Sequence, residues 1–285
     1  MAVTRRDFGR FVLSAAGGVV SGSLLTGCSG DGERKLTNGE ASVASMNLGE
    51  RCEIRFRPVT DLKAEIAWFE RLGCKVTESG GVGDAWVRIS DGTVHYGLWT
   101  WPGPSRSIVY FASDPGAVRA LLQANRIALK GSDTTFLFPD PDGTPVQIEP
   151  LEDGADPSPG AGTTLLGKFG ECSWPVANVH ASVAFWKKLG FDKLGGNWEE
   201  ADPKPYPYAI LTDKLLTIGL HQATDGRKGL WIHYFNGTSQ ENRERLRRIR
   251  DAGIEIQTSK PGVKDPAAGW ITSPSGQKFN LYPWE

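Results

Sequence analysis

The chain has little of what zinc proteins, redox proteins and nucleic-acid binders are usually built from. Its 285 residues hold four histidines and four cysteines, and no Cys-x-x-Cys spacing occurs, so a zinc ribbon or a dithiol motif has no starting residues. Neither sign of charge dominates. Thirty-two Lys and Arg stand against 33 Asp and Glu, which leaves no basic field to attract a nucleic acid and makes a small molecule the better partner. No phosphate-cradling Gly loop, Gly-x-Ser-x-Gly elbow or His-Glu-x-x-His helix is found, which removes nucleotide, serine-hydrolase and zinc-peptidase chemistry in their usual forms. Long apolar runs are missing too. The nearest, Phe11 to Leu25, is too short and too rich in Gly and Ser to span a bilayer.

What is present begins with an address. Arg5-Arg6, with Phe8 two positions on, resembles the twin-arginine export motif, and Leu25-Thr26-Gly27-Cys28 resembles a bacterial lipobox. Residues 1–28 are therefore expected to be a signal segment, with Cys28 the lipidation site. Residues 29–50, polar and without periodicity, read as a flexible spacer. The expectation is an exported, extracytoplasmic lipoprotein held to the membrane through lipid on Cys28. The other cysteines, Cys52, Cys74 and Cys172, are odd in number; one disulfide among them stays open, with no pairing preferred.

The rest repeats itself. With 35 Gly, 18 Pro and 10 Trp, it reads as turn-rich and aromatic, and aligning Asp61 with Asn178 pairs Pro58 with Pro175, Leu72-Gly73 with Leu189-Gly190, and Trp68/Phe69 with Phe185/Trp186. Farther on, Gly97-Leu98 matches Gly219-Leu220, Tyr110-Phe111 matches Tyr234-Phe235, and Asp140-Pro-Asp-Gly143 matches Ser273-Pro-Ser-Gly276. Two domains are expected, 51–152 and 166–285, joined by a Gly/Pro/Asp-rich linker at 153–165. Each reads as strand, helix and three strands, twice over, with helices near Leu62–Phe69, Pro115–Asn125, Val179–Leu189 and Ser239–Ala252.

These endings, Trp68-Phe69-x-x-Leu72-Gly73 and Phe185-Trp186-x-x-Leu189-Gly190, together with Asp140-Pro-Asp-Gly-Thr-Pro-Val-Gln-Ile-Glu149, resemble the vicinal oxygen chelate superfamily of glyoxalase I, extradiol dioxygenases and bleomycin-resistance proteins. The resemblance implies an α+β fold of tandem domains, each made of two βαβββ units that form a curled mixed sheet with helices outside. It also implies metal ligands on the first and last strands of each unit. Carried over by position, these are Ile54, Gly97, Ser107 and Gln147 in the first half and Glu171, Gly219, Trp231 and Asn280 in the second. Neither set offers more than one good ligand, so no resident metal and no cofactor is expected; a divalent metal in the second domain is the minority reading.

Strand alternation places further side chains in the same cups. Ligand-binding candidates are Phe56, His95, Trp99, Phe111, Gln147 and Glu149 in the first domain and Ser173, Trp231, Phe235, Asn280 and Tyr282 in the second. Val109 and Thr217 also fall on these faces. Glu171, His221 and His233 form the sharpest constellation able to hold a non-haem metal or to move protons, with His95, Glu149 and Gln147 a poorer second. His180 and the arginines of the last helix read as solvent-facing. The leading expectation is a protein that binds a small apolar or aromatic molecule without the usual metal. The alternatives are a lyase, isomerase or oxygenase working through Glu171, His221 and His233, or a structural lipoprotein with filled cups. Whether the chain is an enzyme stays open at this stage.

Overall fold

The computed structural model describes residues 47–82, 85–152, 164–204, 206–223, 225, 229–259, 263 and 265–284. The signal segment with Cys28, most of the 29–50 spacer and most of the 153–165 linker lie outside them.

Each of the four helices among the described residues starts where the sequence supplies a capping side chain. Asp61, Asp114 and Asn178 accept from backbone N–H groups three residues on, at the heads of α1 (Leu62–Arg71), α2 (Pro115–Ala124) and α3 (Val179–Lys188). Thr238 and Glu241 form a reciprocal capping box on α4 (Ser239–Asp251). Gly73, Gly190 and Gly253 follow three of these helices at positive φ, where a side chain would be strained.

The strands of the first domain are β1 (Arg51–Phe56), β2 (Lys75–Gly80), β3 (Trp86–Ser90), β4 (His95–Trp99), β5 (Arg106–Ala112), β6 (Lys130–Gly131), β7 (Phe136–Pro139) and β8 (Pro145–Pro150). Those of the second are β9 (Lys168–Val176), β10 (Asp192–Gly196), β11 (Tyr208–Thr212), β12 (Thr217–Gln222), β13 (Trp231–Asn236), β14 (Gly269–Thr272) and β15 (Lys278–Pro283). They form two mixed sheets, ordered β2-β3-β4-β1-β5-β8-β7-β6 and β10-β11-β12-β9-β13-β15-β14. In each, the two first strands of the βαβββ units pair antiparallel at the centre, β1 with β5 and β9 with β13. The expected α+β architecture of paired βαβββ units is the one observed. The counterpart of β6 is reduced to one bridge, Gln257 to Trp270.

Alternation splits each sheet into an apolar face and an inner, polar and aromatic one. Ile54, Phe56, Tyr96, Leu98, Ile108 and Tyr110 are buried in a core that continues into Ile218, Leu220, Tyr234, Phe279 and Leu281 of the second sheet. Phe279 seals the junction, meeting the rings of Phe56, Trp68, Phe69 and Tyr96 at 5.4–6.4 Å between centroids.

The domains also exchange matching polar contacts. Tyr110 donates to Asp213 at 2.7 Å, and its repeat counterpart Tyr234 donates to Asp91 while meeting Tyr96 hydroxyl to hydroxyl at 2.5 Å. The Asp140-Pro-Asp-Gly143 turn accepts from Trp174 Nε1 (2.8 Å), Ala177 N–H (2.7 Å) and Ser182 Oγ (2.7 Å). Its counterpart, Ser273-Pro-Ser-Gly276, donates back to Glu65 on α1 through Ser273 Oγ (2.8 Å) and the Ser275 N–H. Cys52, Cys74 and Cys172 are all buried and free, so no disulfide joins them. His180 is exposed as expected, whereas Arg245 of α4, expected to face solvent with the other arginines of that helix, is buried and donates to the Leu166 carbonyl.

Candidate functional site

The inner face of the second sheet collects the three residues singled out for chemistry. Glu171 on β9 lies opposite His233 on β13, and Ser173, two residues along, lies opposite both Trp231 and Gly219. His221 projects from β12 on the same face as Gly219. Its Nε2 is 3.0 Å from Glu171 Oε1, with Glu171 only 2% exposed. A methyl group added at Gly219 would collide with the Glu171 carboxylate, so this glycine makes room for it. His233 Nε2 is 2.8 Å from Ser173 Oγ.

Rings line up across this face. Tyr208 stacks on His221 at 5.8 Å, His221 on His233 at 6.4 Å and His233 on Tyr282 at 5.8 Å; Phe235 continues the row and stacks on Trp284 at 4.7 Å. Asn280 sits on β15 beside His233, and Trp270 beside Asn280. Burial pushes the His233 imidazole down to about 4, against the pull of Glu171, so it is neutral near pH 7 with a lone pair to offer. Burial opposes charge on Glu171, but the hydrogen bond from His221 and the nearby imidazoles outweigh it and hold the carboxyl below its usual range. Glu171 Oε2 is buried and has no hydrogen-bond partner.

The first sheet handles the equivalent positions differently. Glu53 is the true counterpart of Glu171: a methyl at Gly97 would collide with its carboxylate as one at Gly219 would with Glu171. Arg55 pairs in register with Gly97 and so takes the place of Ser173. It binds Glu53 at 2.5 Å and grips Glu149 with both terminal nitrogens, at 2.5 and 2.9 Å. Arg88 binds Glu53 at 2.7 Å and also Glu78, which Arg51 meets at 2.7 Å. Burial disfavours the charge on Glu53, yet Arg55 and Arg88 hold its carboxyl below the usual range. Gln147 donates to Glu149 at 2.6 Å, and Phe111 lies under the guanidiniums of Arg51 and Arg88. Trp99 stacks on Trp86 at 5.3 Å, while His95 is buried beside this network.

Of the residues expected in the first cup, His95, Trp99, Phe111, Gln147 and Glu149 are on the inner face. Phe56 is not. It points into the apolar core, stacked on Tyr96 at 6.0 Å, because the cap Asp61 stands eight positions after Glu53 whereas its counterpart Asn178 stands seven after Glu171. A single-residue slip moves a strand's side chains to the opposite face. The same slip explains why Ile54 stood in for Glu53 in the ligand set. All the second-cup candidates, Ser173, Trp231, Phe235, Asn280 and Tyr282 with Glu171, His221 and His233, lie on the inner face. Sequence reasoning missed Arg51, Glu53, Arg55 and Arg88. The signal was there in Arg51-Cys-Glu-Ile-Arg-Phe56, whose charged residues alternate with apolar ones as an inward row.

The fold is that of two tandem vicinal oxygen chelate domains. Among solved structures, a catechol 2,3-dioxygenase shares it with a TM-score of 0.53 and 15% identity, over 84% of this chain and 93% of that one. Homoprotocatechuate 2,3-dioxygenase from Arthrobacter globiformis gives 0.56 and 14%, over 84% and 80%. The 2,2',3-trihydroxybiphenyl 1,2-dioxygenase of Sphingomonas wittichii gives 0.52 and 14%, over 84% and 91%. At such identities the likeness speaks for the fold. No protein-family model matches the chain, and no curated protein matches it in sequence.

These neighbours overturn the expectation of a chain without a cofactor, since extradiol dioxygenases typically work with Fe(II). The residues fit such an ion in kind. Two imidazoles, one held neutral, and an ionised carboxylate with a free oxygen are the donor set of non-haem iron oxygenases. As they stand among the described residues, no three His, Cys, Asp or Glu side chains converge on one point: His221 is engaged by Glu171 and His233 by Ser173. Coordination would exchange those two hydrogen bonds for metal bonds.

Proposed function

We propose that the second domain is the reactive centre of an oxygenase-type enzyme for a small aromatic molecule, with Glu171, His221 and His233 as its donor set. The observation that carries this reading is that two imidazoles and a carboxylate stand on neighbouring strands of one aromatic-lined face, with His221 in contact with Glu171. Those three side chains would hold a divalent iron ion, which when bound supplies activation of dioxygen and polarisation of a phenolic oxygen. Tyr208, His221, His233 and Tyr282 form a row of parallel rings that gives a flat substrate an aromatic wall. Ser173 holds the His233 ring through Nε2 until a metal takes that nitrogen, and burial of Glu171 keeps bulk water from its oxygens.

Anaerobic titration of the full chain with Fe(II), followed by oxygen uptake with catechol, tests this. About one ion per chain and catechol-dependent uptake are expected, both lost in His233→Ala and Glu171→Ala proteins that keep the wild-type circular dichroism. A wild-type chain that takes no iron and consumes no oxygen would end the oxygenase reading. The 3.0 Å contact between Glu171 and His221 favours a second reading, proton transfer by the same residues in a lyase or isomerase. In that case turnover survives exhaustive chelation.

The sequence features at Arg5-Arg6 and Cys28 support export and tethering to the membrane through lipid as part of the same proposal. No helix among the described residues is long and apolar enough to cross a membrane. Incorporation of labelled palmitate that vanishes in Cys28→Ser tests the tether; a wild-type chain that stays unlabelled removes it.

A further inference from the structure

We propose that the inner face of the first sheet is a second ligand site, separate from the Glu171 centre, that takes the carboxylate of a small aromatic acid on Arg57, beside Trp99. Four guanidiniums, those of Arg51, Arg55, Arg57 and Arg88, share this region with three carboxylates, those of Glu53, Glu78 and Glu149. Arg51, Arg55 and Arg88 each hold at least one of these carboxylates. Arg57 holds none among the described residues. Its guanidinium lies 4.7 Å from the centroid of the Trp99 ring, and its Nε is buried with no acceptor.

The want of acceptors extends across the same face. Trp99 Nε1, in the ring that Arg57 covers, is a second buried donor without a partner, and farther along the strands lie Arg51 Nε, Ser107 Oγ and both nitrogens of His95. Buried polar groups are hydrogen-bonded in the great majority of cases. These atoms nearly all donate, so what satisfies them must bring acceptors, and the surplus guanidinium calls for negative charge. His95, which burial and the neighbouring Arg88 and Arg51 push down to about 4, is uncharged near neutrality and both donates and accepts.

The walls call for a ring. Trp86 and Trp99 stack at 5.3 Å and 12°, Arg55 lies over Trp99 at 4.4 Å as Arg57 does at 4.7 Å, and Trp101, which meets Trp99 edge-on at 5.4 Å and is 47% exposed, offers the open indole. A carboxylate on Arg57 with its ring against these indoles uses both features. An inorganic anion would use only the donors.

Calorimetric titration of the full chain with benzoate, benzyl alcohol and inorganic phosphate tests the site, on wild type and on Arg57→Gln, Trp99→Phe and His233→Ala. Saturable benzoate binding is expected, weakened about tenfold or more by Arg57→Gln and less by Trp99→Phe, which keeps a ring but removes the N–H. His233→Ala should leave benzoate affinity unchanged, and benzyl alcohol and phosphate should each bind about tenfold more weakly than benzoate. The proposal is overturned if wild type shows no saturable binding at millimolar benzoate, or if affinity survives Arg57→Gln. Loss with His233→Ala would also overturn it by assigning the ligand to the second domain, and phosphate binding as tight as benzoate would remove the aromatic specificity.

Discussion

Glu53 and Glu171 occupy equivalent points of two related sheets, and the residue two places along decides what each can do. Arg55 neutralises Glu53 and locks it into a salt-bridge network; Ser173 leaves Glu171 to the imidazoles. Glu53→Gln should therefore act on stability. Two buried guanidiniums, each with one carboxylate left, would lose a shared partner at a cost of about 3 kcal/mol in urea denaturation. Gly219→Ala should instead act on the site, since the new methyl displaces the Glu171 carboxylate; iron uptake should fall at least tenfold with little change in melting temperature. Wild-type iron uptake in that variant would contradict the placement of Glu171.

His95 adds a pH dependence. Its folded pKa of about 4 lies below the unfolded value of about 6.5, so between these values the unfolded chain holds a proton that the folded chain does not. Stability from this residue is present above about pH 6.5 and is lost as pH falls towards 4. Replacing it by Gln should lower the slope of stability against pH in that window by about 1.4 kcal/mol per unit. Parallel slopes for the two proteins would show that His95 is protonated, or partnered, in the fold. At this scale the sequence was legible where alternation could be counted from a fixed point. It misled at Phe56 and Ile54, because the extra residue before α1 is absorbed in a loop that periodicity does not register.

Among elements, the helices and most strands follow from caps, glycines and alternation, which act over a few residues and can be read locally. The reduced edge near Gln257 could not be read that way, since an edge strand exists only if its partner's hydrogen bonds reach it. The Asp140-Pro-Asp-Gly143 turn carries more than its local chemistry. Pro, Asp and Gly explain why the chain turns there, but both aspartates also reach across to the second domain. Asp142→Ala removes acceptors for the Ser182 hydroxyl and the Ala177 N–H, and should cost about 1–3 kcal/mol. A melting temperature equal to wild type would mean that the turn does not clasp α3 in solution.

For the whole molecule, the shared core and reciprocal contacts make the domains one mechanical unit. Calorimetric unfolding is expected as a single transition, and Tyr234→Phe, which breaks the contact with Asp91, should lower it without splitting it. Two resolved transitions in wild type would argue against the joint core around Phe279. The tandem repeat was plain in the sequence, because duplicated motifs survive at fixed spacing. The division of labour between the halves was not, because it depends on which side chains share an inner face.

The exchange of Tyr110–Asp213 for Tyr234–Asp91, and of one Pro-Gly turn for the other, is what a pair of identical subunits related by a twofold axis would make. It implies an ancestor that was a homodimer of single domains, whose fusion into one gene freed each copy from having to serve both halves. One copy could then line its inner face with arginines while the other carried histidines, an asymmetry closed to a protein whose two sites are written once.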